Sequence, residues 1–407
     1  MKKFLTALTL VSVLVLGTSF AGCGCEHVTG EWQIDDNNHY KVCSICGENV
    51  DVASHSYEEG ECTVCGKLEP IAGSLGLTYS YYDYTNTSYK VTGLGTCEDA
   101  VVSIPAEFAG KPVVAIANNA FVRDYHKAEN VTKFIIPSSV KEIGAYAFQY
   151  RQSEVVFDNP TITEIGKDAF AQFNGPAITI PNTVERICDS AFSLNGNAIS
   201  YVIPNSVKVI ETYAFGNCSK LQSVTFEDNA QVEEIGCNIF NDCENMSTFE
   251  IPASVKRLTC HDQYYLNNDN GSFEDAGEMI ITFEEGSQLE FIGHYWFLAT
   301  EGTIFLPEGY TVIDDRALYG TVGANIVVPA TVTEIKEGGL SSYDAYYNVF
   351  YPQKVFFMGT RTQWEAITVV TTEYAGITYN KSLGELTTVY CAGEWSLVDG
   401  VPTPNAN

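Results

Sequence analysis

One unit of sequence recurs down most of this chain, and it constrains the fold more than any other feature. Two of the clearest copies run Phe134-Ile135-Ile136-Pro137-Ser138-Ser139-Val140-Lys141-Glu142-Ile143-Gly144-Ala145-Tyr146-Ala147-Phe148 and Val202-Ile203-Pro204-Asn205-Ser206-Val207-Lys208-Val209-Ile210-Glu211-Thr212-Tyr213-Ala214-Phe215. An apolar anchor, usually followed by proline, falls at Ile104, Ile136, Phe157, Ile180, Ile203, Phe226, Ile251, Phe283, Leu306, Val328 and Phe357. Most steps are 21 to 25 residues, and three longer ones of 32, 32 and 29 mark insertions. A unit this short cannot bury an apolar face alone, so copies must stack and share a core.

The unit reads as chemistry. A second apolar row precedes the anchors by two residues: Val102, Phe134, Val155, Ile178, Tyr201, Val224, Phe249, Ile281, Ile304, Ile326 and Val355. Spacing of two puts both rows on the inward face of a strand. Proline then ends the strand because it has no N–H for a ladder. Glycine recurs four residues before the phenylalanine, at Gly144, Gly166, Gly236 and Gly293, where it predicts a corner. Ala-Phe at 120–121, 147–148, 169–170, 191–192 and 214–215 plugs the core, degenerating later to Ile239-Phe240, Trp296-Phe297, Ala317-Leu318 and Gly339-Leu340. The expected fold is a β-rich repeat solenoid, a leucine-rich-repeat-like stack with a parallel sheet on one face. It spans 101–370, with capping strands over 71–100 and a C-terminal cap and tail over 371–407.

The motif Ile-Pro-x-Ser/Thr-Val-x-x-Ile-Gly-x-x-Ala-Phe resembles the BspA-type leucine-rich repeats of bacterial surface proteins. Tyr89 to Cys97 with Gly110 to Ile116 resembles the first repeat of that family, and Gly359 to Ile367 resembles its last. The resemblance covers about 75–395 and implies adhesion or surface binding, with a protein or glycan partner on a host or neighbouring cell. It carries over no ligand residue.

The first 70 residues differ in kind. Lys2-Lys3 followed by apolar Phe4 to Leu16 reads as an export signal over 1–22, too short to span a membrane comfortably. Phe20-Ala21-Gly22-Cys23 resembles a bacterial lipobox, which implies a lipid anchor on Cys23; Phe20 departs from the usual Leu or Val, so ordinary cleavage and secretion stay open. Either route puts the protein outside the cell, at its surface or released.

Next come Cys25, His27, His39, Cys43-Ser44-Ile45-Cys46-Gly47, His55 and Cys62-Thr63-Val64-Cys65-Gly66. Cys43 to Cys62 and Cys46 to Cys65 are both 19 apart, one unit written twice. Paired thiolates two residues apart, with glycine after the second, suit a tetrahedral Zn²⁺ knuckle. A small zinc-ribbon-like module with structural zinc is therefore expected over 23–70. Its ligands are Cys43, Cys46, Cys62 and Cys65, or sets in which His27 and His39 join Cys43 and Cys46 while His55 joins Cys62 and Cys65. The competing reading is metal-free cysteines with surface histidines.

Charge and motifs narrow the function. Lys+Arg number 22 against 51 Asp+Glu, a formal net charge of -29, which excludes binding nucleic acid by phosphate neutralisation. There is no Ser/His/Asp order, zincin helix, phosphate-cradling loop or convincing carboxylate pair, so an enzyme is not expected. Cys218 and Cys243, three residues after successive core phenylalanines, are expected as stacked buried thiols. Asn267 to Gly271 lacks the alternating carboxylates of a calcium loop. On the outward side of the strands, Phe305, Val327 and Phe356 should line up as an apolar stripe. It is either an exposed partner site or a surface buried by the Tyr343–Tyr351 insertion. The remaining alternative is a structural envelope spacer with no ligand.

Overall fold

The structure, a computed structural model, describes residues 29–34, 38–54, 56–58, 61–62, 64, 73–122, 130–260, 272–273, 276–321, 323–341, 343–344, 349–350, 353–371, 373–374, 377–378 and 387–406. The chain divides into two compact units, Met1–Pro70 and Ile71–Asn407.

In the first unit, Thr29–Ile34, Asn38–Cys43 and Asn49–Ser54 form an antiparallel three-stranded sheet. Tyr57–Glu58 pairs antiparallel with Glu61–Cys62. The link after Cys43 is a tight turn. The Gly47 N–H donates to the Cys43 carbonyl (2.8 Å) and the Cys43 N–H to the Glu48 carbonyl (2.9 Å). Gly47 has φ +73°, a conformation that disfavours any side chain.

The second unit is the repeat array, and its hydrogen bonds run in three rows from copy to copy. The first row is made of the anchor strands, all parallel. Val101–Ser103, Lys133–Ile136 and Glu154–Phe157 form one sheet, and Ser200–Ile203 pairs with Ser223–Phe226. Thr248–Ile251, Glu278–Phe283, Glu301–Phe305, Asn325–Val328, Gln353–Phe357 and Thr387–Tyr390 form a six-stranded sheet. Residues 177–180 carry no strand, although Ile178 and Ile180 are buried at the expected places. Pro176 stands at the entry to that stretch and brings no N–H to a ladder.

The second row adds a second parallel ladder to the expected parallel sheet on one face. Two-residue and three-residue strands at Glu142–Ile143, Glu164–Ile165, Arg186–Ile187, Val209–Ile210, Glu234–Gly236, Arg257–Thr259 and Phe291–Ile292 make a parallel ladder more continuous than the anchor row. Lys111–Ile116 and Tyr89–Gly93 extend it, and Thr78–Tyr81 closes that end antiparallel. Each inward isoleucine, such as Ile143, Ile165, Ile187 and Ile210, is buried.

The third row is built of turns. The residue before each Ala-Phe pair or its later equivalent is left-handed: Asn119, Tyr146, Asp168, Ser190, Tyr213, Asn238, Tyr295 and Arg316 have φ between +52° and +61°. A second left-handed residue follows two places after the phenylalanine, as at Tyr150, Gln172 and Leu194. A left-handed non-glycine residue costs on the order of 1–2 kcal/mol. Stacking offsets this. The Tyr146, Phe148 and Tyr150 N–H groups donate to the carbonyls of Lys167, Ala169 and Ala171 in the next copy, at 2.8–3.1 Å. Asp168, Phe170 and Gln172 repeat the pattern onto Asp189, Ala191 and Ser193. Each such bond is worth about 1 kcal/mol net and satisfies a backbone group that would otherwise be buried unpaired.

The core sits between the rows. Phe148, Phe170, Phe192 and Phe215 are fully buried and stack with centroids 5.2, 5.6 and 5.6 Å apart and planes within 5° of parallel. Burying each contributes roughly 1.5–3 kcal/mol, and each ring pair about 0.5–1.5 kcal/mol more.

The recurrent glycine is not the expected corner. Its backbone is pressed against the preceding copy: a Cβ on Gly236 would lie 2.4 Å from the Thr212 nitrogen, and one on Gly144 2.6 Å from the Asn118 nitrogen. Where the slot holds an acid, that acid uses the same proximity. Glu211 accepts the Asp189 N–H (3.1 Å), and Asp314 accepts the Ile292 N–H (3.2 Å).

Candidate binding surface

The anchor strands fix what the array can present, because the residue between the two inward rows must point outward. At the N-terminal end that outward position is covered. Ser103 and Ile135 are buried, and Ser74 seals the edge by donating its N–H to the Ser103 carbonyl (2.8 Å) while its Oγ accepts the Ser103 N–H (3.1 Å). In the middle it is open. Thr179, Val202, Thr225 and Glu250 are exposed, with Val202 at 55%. Two residues earlier in their units, Ala177, Ser200 and Thr248 are exposed and Ser223 is half-buried. The window is flat, short in side chain and rich in hydroxyls, with Ile199 exposed at its margin.

At the C-terminal end the surface closes again, which excludes the exposed form of the Phe305, Val327 and Phe356 stripe. The three do line up, since Phe305 pairs in register with Val327 and Val327 with Phe356. Yet Val327 and Phe356 are buried and Phe305 is half-buried. Part of the cover is a strand not foreseen from the sequence. Thr387–Tyr390 extends the sheet in parallel, pairing Tyr390 with Phe356, whose rings stack at 5.2 Å and 16°. Trp395 meets Phe356 edge-on at 5.4 Å, and its indole N–H donates to the Phe357 carbonyl (3.3 Å). Thr-Thr-Val-Tyr at 387–390 carried the alternation that could have revealed this strand. Side chains of the Tyr343–Tyr351 insertion lie outside the described residues.

Electrostatics on the array consist of rungs joining neighbouring copies. Lys208 pairs with Glu185 (2.8 Å), Lys256 with Glu233 (3.4 Å) and Arg186 with Glu211 (2.5 Å). Asp314 is the most buried acid of this kind. Its Oδ2 accepts the Tyr310 hydroxyl (2.8 Å) as well as the Ile292 N–H, and its Oδ1 takes Lys336 Nζ (3.1 Å), which holds the Lys336 ammonium above its ordinary pKa. Near the first copies, a cleft of about 280 Å³ is lined by Tyr82, Lys90, Asn118 and Glu142 among others. There the Tyr82 hydroxyl donates to Glu142 (2.5 Å), and the carboxylate pushes the phenol up to about 12.

Of the metal candidates, Cys43 and His39 are buried and Cys46 is half-buried. Cys43 and Cys46 flank the Gly47 turn, the local geometry a knuckle needs. His39 stands four residues before Cys43 on the same strand, about 13 Å away at roughly 3.3 Å per residue. It packs edge-on against Trp32 (4.9 Å). Strand geometry therefore disfavours His39 sharing an ion with Cys43. Cys62 closes the Glu61–Cys62 strand, in register with Tyr57. His27, His55, Cys65 and the lipidation candidate Cys23 lie outside the described residues, as does the loop Asn267 to Gly271.

Cys218 and Cys243 are buried thiols in successive copies. Each donates to a phenylalanine carbonyl in the preceding copy, Phe192 and Phe215, both at 3.3 Å. Burial pushes the Cys218 thiol up to about 12.

Stacked parallel copies with a shared aromatic spine define a leucine-rich-repeat array. The BspA type leucine rich repeat region matches residues 114–229, 190–269 and 270–363, more than half of the chain. The chain belongs to that family. No curated protein matches it. Among solved structures, a leucine rich cell surface protein from Faecalibacterium prausnitzii A2-165 is 22% identical, covering 75% of this chain and 99% of its own, with a TM-score of 0.35. The T. pallidum leucine rich repeat protein is 22% identical over 56% of this chain and 87% of its own, TM-score 0.36. The pneumococcal vaccine antigen PcpA is 15% identical over 74% of this chain and 98% of its own, TM-score 0.32. Scores this low carry no argument about the finer arrangement or the partner. Among the described residues no helix is long and apolar enough to cross a membrane.

Proposed function

We propose that this chain is an exported surface protein whose repeat array is a binding and adhesion module for a protein or glycan on a host or neighbouring cell. The observation that carries the reading is the open window at Thr179, Val202, Thr225 and Glu250, set between two ends where the same outward position is covered. The window does not depend on a pocket, which suits recognition of an extended surface rather than catalysis. Capture of the full chain on immobilised extracellular-matrix proteins and glycans tests it. Val202→Lys with Thr225→Glu, an opposite-charge pair across the two strands, should abolish capture while leaving the melting profile nearly unchanged, since exposed substitutions alter stability by only about 0.5 kcal/mol. Uniform absence of capture by the native chain leaves the spacer as the better account.

Two further assignments belong to the same reading. Cys23 is the membrane anchor, with a diacylglycerol thioether holding the protein at the cell surface; Cys23→Ala should release it into the medium, and unchanged distribution would favour plain signal cleavage. The module over 23–70 holds structural zinc through Cys43, Cys46, Cys62 and Cys65. Supporting this are the 19-residue repeat of the cysteine pairs, the Gly47 turn and the small number of residues available to form a core. Metal analysis of the purified protein should find about one equivalent of zinc.

A further inference from the structure

The buried cysteines of the array fall into two arrangements. Cys218 and Cys243 occupy equivalent slots in successive copies, yet each thiol is committed to a phenylalanine carbonyl of the preceding copy. Cys237 and Cys260 also occupy neighbouring copies, and their setting differs. They follow directly on a parallel ladder in which Ile235 pairs with Leu258 and Gly236 with Thr259, so they are the next two residues in register. Two residues beyond the inward Ile235 and Leu258, both turn toward the core. Cys237 is buried within it, and Cys260 packs against it half-buried. Adjacent parallel strands lie about 4.8 Å apart, inside the roughly 4.4–6.8 Å Cα separation that a disulfide spans.

We propose that Cys237 and Cys260 are an oxidation site that closes into a disulfide between neighbouring repeats. The oxidant is a disulfide of the glutathione or dithiol-oxidoreductase class. Deprotonated Cys260 attacks one of its sulfurs, forming a mixed disulfide and releasing one thiolate. Cys237 then gives up its proton, attacks the Cys260 sulfur and expels the second thiolate. Two protein thiols are oxidised, one external disulfide is reduced to two thiols, and the two protons end on them. Cys260 is the first to react because it is the more accessible of the two. Cys260 lies inside the 32-residue step between the Ile251 and Phe283 anchors, so the link ties together the copies on either side of the Ile251 anchor.

The neighbouring Cys237 thiol, and after it burial, raise the Cys260 thiol above its ordinary pKa. The attacking thiolate is therefore scarce at neutral pH, and closure should accelerate about tenfold per pH unit below that pKa. The test uses the full chain, fully reduced, then exposed without denaturant to oxidised glutathione at rising pH. Remaining thiols are alkylated and peptides mapped by mass spectrometry. The expected result is a peptide pair joined through Cys237 and Cys260, lighter by two hydrogens, while Cys218 and Cys243 are recovered alkylated. In Cys237→Ser the joined pair disappears and Cys260 accumulates as its glutathione adduct. Cys260→Ser provides the reciprocal control, with Cys237 left alkylated. Recovery of both thiols alkylated from the native chain, a stable glutathione adduct on native Cys260, or scrambled links to Cys218 and Cys243 would each overturn the proposal.

Discussion

The Cys/His module and the repeat array solve the same problem with different resources. The array repeats one small solution, so the phenylalanines from Phe148 to Phe215 rest on one another from copy to copy, and strained turns such as those at Tyr146 and Asp168 are held by the copy that follows. In the module, among the described residues, Cys43 is the one buried apolar side chain and His39 the one buried polar one. Stacking can replace a deep core only where the chain provides another copy to stack on. Fewer than 50 residues with two cysteine pairs have little core to draw on, and the zinc proposed for those pairs would supply the missing stability.

That contrast can be broken most directly through the metal. Chelation of the full chain should abolish the folded state of the module, a loss on the order of 10 kcal/mol of binding free energy. The array should keep its far-ultraviolet spectrum and its melting transition. Protease mapping checks both, with cuts appearing among residues 29–64 and none between 130 and 260.

A smaller effect sharpens the account of the array. Phe192 lies in the stacked column between Phe170 and Phe215. Phe192→Ala should cost roughly 3–5 kcal/mol, read as a lower denaturant midpoint. The module's zinc content should not change.

Alkaline pH gives a graded effect, smallest just above pH 9 and growing as pH rises. Burial pushes the thiols of both Cys188 and Cys218 up to about 12 from an ordinary value of 9.0. These folded pKa values are raised, so the contribution to stability is complete below about pH 9 and is lost as pH rises toward 12. In that window the unfolded chain loses protons that the folded chain retains. The array's denaturant midpoint should therefore fall between these limits, and Cys188→Ala with Cys218→Ala should flatten the slope. Cysteines that bind the proposed zinc would already be deprotonated, so the module should not share this dependence.

Much of the array was legible because its signals recur. Period-two apolar pairs placed the anchor strands, and Ala-Phe placed the aromatic column. What escaped notice has physical reasons. The Glu142–Ile143 type of strand is two residues long, too short to show a period. The left-handed turns use Tyr146, Leu194 and Arg316, residue types that do not advertise positive φ, because the neighbouring copy's hydrogen bonds hold them there. Gly236 was read as a corner when its role is to let two backbones approach, a tertiary requirement invisible within one copy. The apolar stripe of Phe305, Val327 and Phe356 was placed correctly along the sheet. Its burial depended on Tyr390 and Trp395, more than 30 residues beyond the last recognised anchor.

The central claim is that the array is one cooperative stack, energetically separate from the module. Amide hydrogen exchange on the full-length Phe192→Ala chain tests it most directly. The account predicts that protection falls together at the Phe148, Phe170 and Phe192 amides, which donate in sequence to Ala169, Ala191 and Ala214, while the Cys43 amide in the module is unchanged. Loss confined to the altered copy, or loss that spreads to Cys43, would contradict it.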